Sequence, residues 1–222
     1  MSMSHTSPTI SFESPEGAVC YRLERAVYLN LTSRCSLRCR FCPKFHHLWT
    51  VDQYYLRLAR SEEPDVSTLV RSAREAGVCE ERIFCGLGEP TMRLDTLVSV
   101  ARTLRTDHIP LRLNTNGLGN LVHGRDITPE LEGRIDHVSI SLNAHNAALY
   151  ERHCRPLLAG SYDAVVDFAT RARDHVPRVT LTAIEGLEGV DIDACARTAD
   201  RIGVEFRIRP MEATDGSAFR VR

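Results

Sequence analysis

Extended apolar runs alternate with segments of helical spacing from residue 26 to residue 209, and this alternation constrains the fold more than any other feature of the chain. Strands are expected over 26–31, 82–85, 111–114, 138–142, 179–184 and 205–209. Helices are expected over 66–76, 94–104, 129–135, 162–173 and 192–202, with Gly77 and Gly203 as stops. Strand and helix in strict succession are satisfied by a parallel sheet covered by helices. Six such units fall short of the eight of a complete barrel, so the expected fold is a partial (β/α)6 TIM barrel, open on one side. Its site then belongs at the C-terminal ends of the strands, where 35–42, 86–90, 114–117 and 141–143 lie. The expected divisions are an N-terminal extension over 1–24, a core domain over 25–212 and a C-terminal tail over 213–222.

Charge says little about partners, because 28 Lys plus Arg face 29 Asp plus Glu. No apolar stretch reaches the roughly 18 residues of a membrane span, and the polar start from Met1 to Ser7 lacks the basic and hydrophobic regions of a signal peptide. The expectation is a cytoplasmic protein with no membrane partner. In a reducing compartment its eight cysteines are read as metal ligands, catalytic groups or buried thiols rather than disulfides.

Cys35, Cys39 and Cys42 follow the first strand at the spacing C-x3-C-x2-C, which lets one short loop wrap three thiolates around a metal centre. A four-iron four-sulfur cluster normally takes four protein cysteines, so three leave one iron free for another ligand. In radical chemistry that ligand is the amino and carboxylate groups of S-adenosylmethionine. The alternative is a structural zinc site completed by His46 or His47. Further along, Gly86 and Gly88 end the second strand and permit close approach of a ligand to the backbone, with Glu89 beside them. Asn114 and Asn116 end the third strand. Ser139, Ser141 and Asn143 share one face of the fourth, read as facing the barrel interior.

This set of motifs resembles the radical SAM superfamily over about 28–210, with Phe41 as the aromatic residue just before the third cysteine. The resemblance implies one [4Fe-4S] cluster on Cys35, Cys39 and Cys42, and S-adenosylmethionine as second cofactor. It further implies that Gly88 and Glu89 bind the methionine amino group, although Leu87 replaces the first glycine of the family's Gly-Gly-Glu segment. The backbone near Phe41 would contact the adenine. Asn114 and Asn116 would bond to ribose or carboxylate, Ser141 and Asn143 to the ribose hydroxyls, and Ile184 would pack on the base. The runs 114–126, 141–144, 154–156 and 205–210 look most like the TatD-linked branch, which implies association with a TatD-type nuclease. An external electron donor such as flavodoxin or ferredoxin is implied as well.

The expected activity is reductive cleavage of S-adenosylmethionine to a 5'-deoxyadenosyl radical that abstracts hydrogen from an unidentified substrate. The open side would admit a macromolecule as readily as a second copy of the chain. His123, Arg125 and Asp126 are candidate substrate residues, and Arg125, Arg152, Arg155, Arg207 and Arg209 a candidate basic patch. Competing readings are a 7-carboxy-7-deazaguanine synthase-like enzyme, a zinc-stabilised binding module and a cluster-binding partner of a nuclease. Residues 45–64 form a long connection read as a lid, a helical insert or an ordinary surface helix. Cys154 is either a buried structural thiol or a radical relay, while Cys20, Cys79, Cys85 and Cys195 have no cluster spacing and are taken as structural.

Overall fold

A computed structural model describes residues 16–211. In chain order its strands are β1 (Cys20–Leu23), β2 (Ala26–Leu29), β3 (Thr50–Val51), β4 (Tyr54–Tyr55), β5 (Glu81–Phe84), β6 (Leu111–Thr115), β7 (His137–Ser141), β8 (Arg178–Ile184) and β9 (Glu205–Arg209). The α-helices are α1 (Val66–Glu75), α2 (Leu94–Leu104), α3 (Gly119–His123), α4 (Ala147–Cys154), α5 (Ser161–Ala172) and α6 (Ile192–Ile202). One sheet runs in the order β1-β2-β5-β6-β7-β8-β9. Its strands from β2 onward pair in parallel, and β1 pairs antiparallel on the outside of β2. These six parallel strands form a partial TIM barrel, as the alternation predicts. Residues 20–23, placed by the sequence in an N-terminal extension, extend this sheet; the tail over 213–222 lies outside the described residues.

Strand alternation sorts the side chains into two layers. Leu113, Val138, Ile140, Leu181 and Ala183 are buried in the main core with Leu69, Leu97, Phe168 and Ala199 of the covering helices. The intervening residues face the barrel interior, and most are polar. At its base Arg112 pairs with Glu81 at 3.3 Å, while Thr180 Oγ1 donates to Glu205 Oε2 at 3.0 Å and meets His137 Nε2 at 2.9 Å. Burial, reinforced by Arg178 and Arg112, pushes the His137 imidazole down to about 4, so it is neutral near pH 7.

Three local expectations need correction. Residues 129–135 are not an α-helix: a 3-10 helix, Thr128–Leu131, gives way to turns as Gly133 takes a φ of +65°. The sequence reading passed over α4, whose Asn146 cap accepts from Leu149 N at 3.0 Å, because Glu151 and Arg152 interrupt its short buried face. The 45–64 connection is neither lid nor helical insert. It contains the β3–β4 hairpin and a 3-10 turn, and Val51 and Leu56 are buried against Tyr21, Tyr28 and Ile83, making it part of the inner wall.

Candidate active site

The loop that leaves β2 is braced from both sides. Asn30 Nδ2 donates to the carbonyls of Ala18 and Leu56 at 3.0 and 2.9 Å. Glu63 accepts from Thr32 Oγ1 and from Arg34 Nε at 2.9 Å, and Arg93 Nη1 binds the carbonyls of Leu31 and Pro64 at 3.0 and 2.7 Å. Farther on, Arg38 N donates to Cys154 O at 3.1 Å, Arg40 N to His153 O at 2.9 Å and Leu157 N to Ser36 O at 3.0 Å. The C-terminal end of α4 is thereby laced to the loop by main-chain bonds.

Cys35, Cys39 and Cys42 line one cavity of about 240 Å³, together with Phe41. Burial pushes the Cys35 thiol up to about 12 and that of Cys42 up to about 11, and hydrogen bonding to Cys154 with burial raises Cys39. The thiols are therefore protonated near pH 7 in the protein alone, and a bound metal would displace those protons. Two donors already aim at sulfur: Leu37 N lies 3.4 Å and Asn116 Nδ2 3.7 Å from Cys35 Sγ. Among the described residues no three Cys, His, Asp or Glu side chains are gathered as around a single ion. His46 Nε2 bonds Arg40 O at 2.6 Å, and neither His46 nor His47 lines the cavity. Among the described residues, neither histidine is placed to supply the fourth ligand of the zinc reading. A cluster whose ligating sulfurs sit on separate iron atoms is the metal group this donor set suits.

The turn after β5 supplies the next wall, and its glycines serve a purpose other than the expected one. A Cβ on Gly86 would lie 2.4 Å from Asn30 Oδ1, and one on Gly88 2.0 Å from Thr32 O. Both admit the chain's own loop rather than a ligand. Glu89 is only 2% exposed. Its Oε1 accepts from Thr91 N at 3.0 Å and from the hydroxyls of Thr91 and Thr115 at 2.7 Å, and Oε2 accepts from Asn116 N at 2.7 Å. Burial raises its carboxyl while these four donors pull it back. Three of the four donors crowd onto Oε1 and only one reaches Oε2, so Oε2 keeps a lone pair to spare at the cavity wall.

The polar faces of β6 to β8 complete the enclosure. Asn114 lines it with a buried Oδ1 that has no hydrogen-bond partner among the described residues, an acceptor suited to a bound ligand. Ser139, Ser141, Thr182 and Ile184 line it too, confirming the inward reading of the fourth predicted strand. Asn143 also lines it, at a φ of +57°, with Oδ1 accepting from Arg209 Nη2 at 3.3 Å. Asn116 is mainly an organiser of the loop: it bonds Ser36 Oγ at 3.1 Å and accepts from Leu118 N at 2.9 Å.

The predicted substrate residues His123, Arg125 and Asp126 do not reach this cavity. His123 Nε2 meets Thr91 O at 2.8 Å, Arg125 pairs with Glu130, and Asp126 accepts from Asn120 and Thr128 and pairs with Arg171. The loop is held by bonds within itself and by ties to Thr91 and to Arg171 of α5. Nor do the five arginines form one patch: Arg125 and Arg152 are ion-paired at the surface, Arg155 lies on an outer groove, and only Arg207 and Arg209 enter the cavity. Cys85, Lys44 and Tyr21 line the cavity unannounced by any motif. Strand alternation carries the signal for Cys85, two residues beyond inward-facing Ile83.

The family model described as "Radical SAM superfamily" matches residues 29–202. A GTP 3',8-cyclase of Corynebacterium glutamicum (strain ATCC 13032) is 30% identical over 193 residues, covering 84% of this chain and 48% of that protein. One from Lactiplantibacillus plantarum is 27% identical over 165 residues, 73% of this chain and 46% of that protein. The chain thus spans about half the length of the curated relatives it matches. Among solved structures, TYW1 with a lysine-pyruvate adduct bound superposes with a TM-score of 0.61 at 14% identity, covering 87% of this chain and 67% of that one. Streptococcus suis SuiB bound to S-adenosylmethionine gives 0.59 at 14% identity, with 86% and 39% covered. At such identities the two structures speak for the fold alone.

Proposed function

Since the chain belongs to the radical SAM superfamily, we propose that its cavity binds S-adenosylmethionine beside the cysteine loop and directs hydrogen abstraction at an anionic, nucleotide-like substrate. Enzymes of this superfamily carry a [4Fe-4S] cluster that supplies the electron for breaking the C–S bond of S-adenosylmethionine, which releases methionine and a 5'-deoxyadenosyl radical. Everything else falls to the chain. Cys35, Cys39 and Cys42 hold the cluster, and Leu37 N and Asn116 Nδ2 donate toward Cys35 Sγ. The spare acceptor of Glu89 receives the methionine amino group, with Gly88 setting its distance from the loop. Ser141 and Asn143 bond to the ribose, Asn114 offers its unpartnered oxygen, and Ile184 and the backbone at Phe41 flank the base.

The observation that carries this reading is the convergence of the three thiols, Glu89 and the polar faces of β6 to β8 on one cavity. An anionic substrate is favoured by Lys44, Arg207 and Arg209 on its walls. The Arg207 side chain makes no hydrogen bond or ion pair among the described residues, and partial desolvation with Arg112 nearby weakens its hold on its proton, so an anion would stabilise its charge. The name of the curated relatives, GTP 3',8-cyclase, supports a nucleotide. A 7-carboxy-7-deazaguanine synthase-like reaction would use the same walls. The finer place in the TatD-linked branch, with a nuclease partner and a cytoplasmic location, rests on the runs 114–126, 141–144, 154–156 and 205–210.

The test is anaerobic reconstitution with iron and sulfide, then reduction in the presence of S-adenosylmethionine and mass spectrometry for 5'-deoxyadenosine. The protein is expected to bind iron and form the nucleoside, and Cys39→Ala to lose both. Zinc in place of iron, or undiminished cleavage by the variant, would refute the assignment. Adding GTP then tests the substrate class: a faster cleavage that Arg207→Ala abolishes supports the nucleotide.

A further inference from the structure

On the outside of the cysteine loop lies a second depression, which shares Cys39 and Phe45 with the inner cavity. Cys39 therefore belongs to the partition between the reaction chamber and the surface. The walls are rigid: they are the segments around 36–40 and 153–157, held by the main-chain bonds described above and by the bridge between Leu37 and Pro156. Arg155 stands at the end of α4 in a left-handed conformation, φ +46°.

Three exposed arginines line this groove: Arg38, Arg40 and Arg155. Arg152, on the same helix end, pairs with Glu188; these three have no ion pair among the described residues. Glu151, the one carboxylate on the groove, also takes no ion pair. Beside them Phe45, Leu157 and Leu158 are 44%, 56% and 38% exposed. Large apolar side chains rimmed by unspent charge are the composition of a transient protein interface. A cationic rim steers and orients an acidic partner, mainly through the association rate.

We propose that this groove is the docking surface for a small acidic one-electron carrier protein, flavin- or iron-sulfur-based. The inference rests on the cluster reading of the active site. A carrier seated against Leu157 and Leu158 would have its redox group next to the wall that contains Cys39, and tunnelling falls steeply with distance. One electron leaves the reduced carrier, which is oxidised, and arrives at the cluster, which is reduced, with no bond made or broken.

The experiment uses the reconstituted full chain and a reduced flavodoxin as probe. Wild type is expected to bind flavodoxin with an affinity that falls as salt rises, and flavodoxin to bleach the cluster's visible absorption. Combined Arg38→Glu, Arg40→Glu and Arg155→Glu should weaken binding by about tenfold or more and slow the bleaching in proportion, while iron content and reduction by dithionite are retained. Leu157→Ser, outside the loop and neutral, should weaken binding without altering its salt dependence. A dithionite-competent, iron-loaded triple variant that binds flavodoxin as wild type does overturns the docking surface alone. A wild type that holds no iron overturns the active-site reading instead. Self-association of wild type that these substitutions abolish would give the groove to a second copy of the chain and also overturn the proposal.

Discussion

Close approach at single atoms decides how the site is assembled. Gly88 is the clearest case, because its Cα faces Thr32 O so tightly that a methyl would sit 2.0 Å away. Gly88→Ala should cost more than about 2 kcal/mol of stability, since the obstacle is main chain and cannot rotate aside. Urea unfolding measures this, and a loss under about 0.5 kcal/mol would mean that the loop yields freely. The glycine is visible in the sequence, but the reason for it is not: a strand-end glycine looks the same whether a ligand or a neighbouring loop occupies the space. Glu89 shares that ambiguity. Its residue type suggested an amino-group acceptor, yet it already accepts four hydrogen bonds that hold Thr91, Thr115 and Asn116 in place.

Elements are tied by a few partly buried ion pairs, of which Asp107 holds the most consequential. It follows α2 and bonds Arg74 of α1 at 2.9 Å and Arg82 of β5 at 2.6 Å, the latter side chain only 3% exposed. Hydrogen bonding from Arg74, opposed by burial and joined by Arg82, holds the Asp107 carboxyl down at about 2, against an ordinary 3.8. Because the folded value lies below the unfolded one, its contribution to stability is complete above about pH 4 and is lost as pH falls through the interval down to about 2. Asp107→Asn should therefore cost about 1–3 kcal/mol near pH 7 by leaving Arg82 underpaired, and the difference from wild type should shrink to nothing below about pH 2. Thermal melts across pH read both. Strand periodicity located six of these elements within a residue or two. Periodicity failed for α4, where a cap and a few buried contacts outweigh a short and mixed pattern.

At the scale of the whole molecule, an open barrel with a polar interior has traded part of its core for a reaction chamber. The loop of 35–42 and the 153–157 segment meet beside the cysteines, so loading the cluster should stabilise that side. Removing iron with a chelator is expected to lower the melting temperature by at least about 2–4 °C and to speed amide exchange in those two segments first. Equal exchange with and without iron would show that the loop is independent of its metal. The sequence by itself determined the strand-helix order, and with it the partial barrel, because periods of 2 and 3.6 are properties of local backbone geometry. It determined the three-thiol loop and the inward face of β7 for the same reason. Tertiary structure alone decided that β1 joins the sheet, that His123 and Asp126 are spent on ties to Thr91 and Arg171, that Arg207 and Arg209 share a cavity with Cys35, and that Cys39 borders a cationic groove. Each of these is a meeting of segments distant in the chain, and no local pattern records which partner a side chain will find.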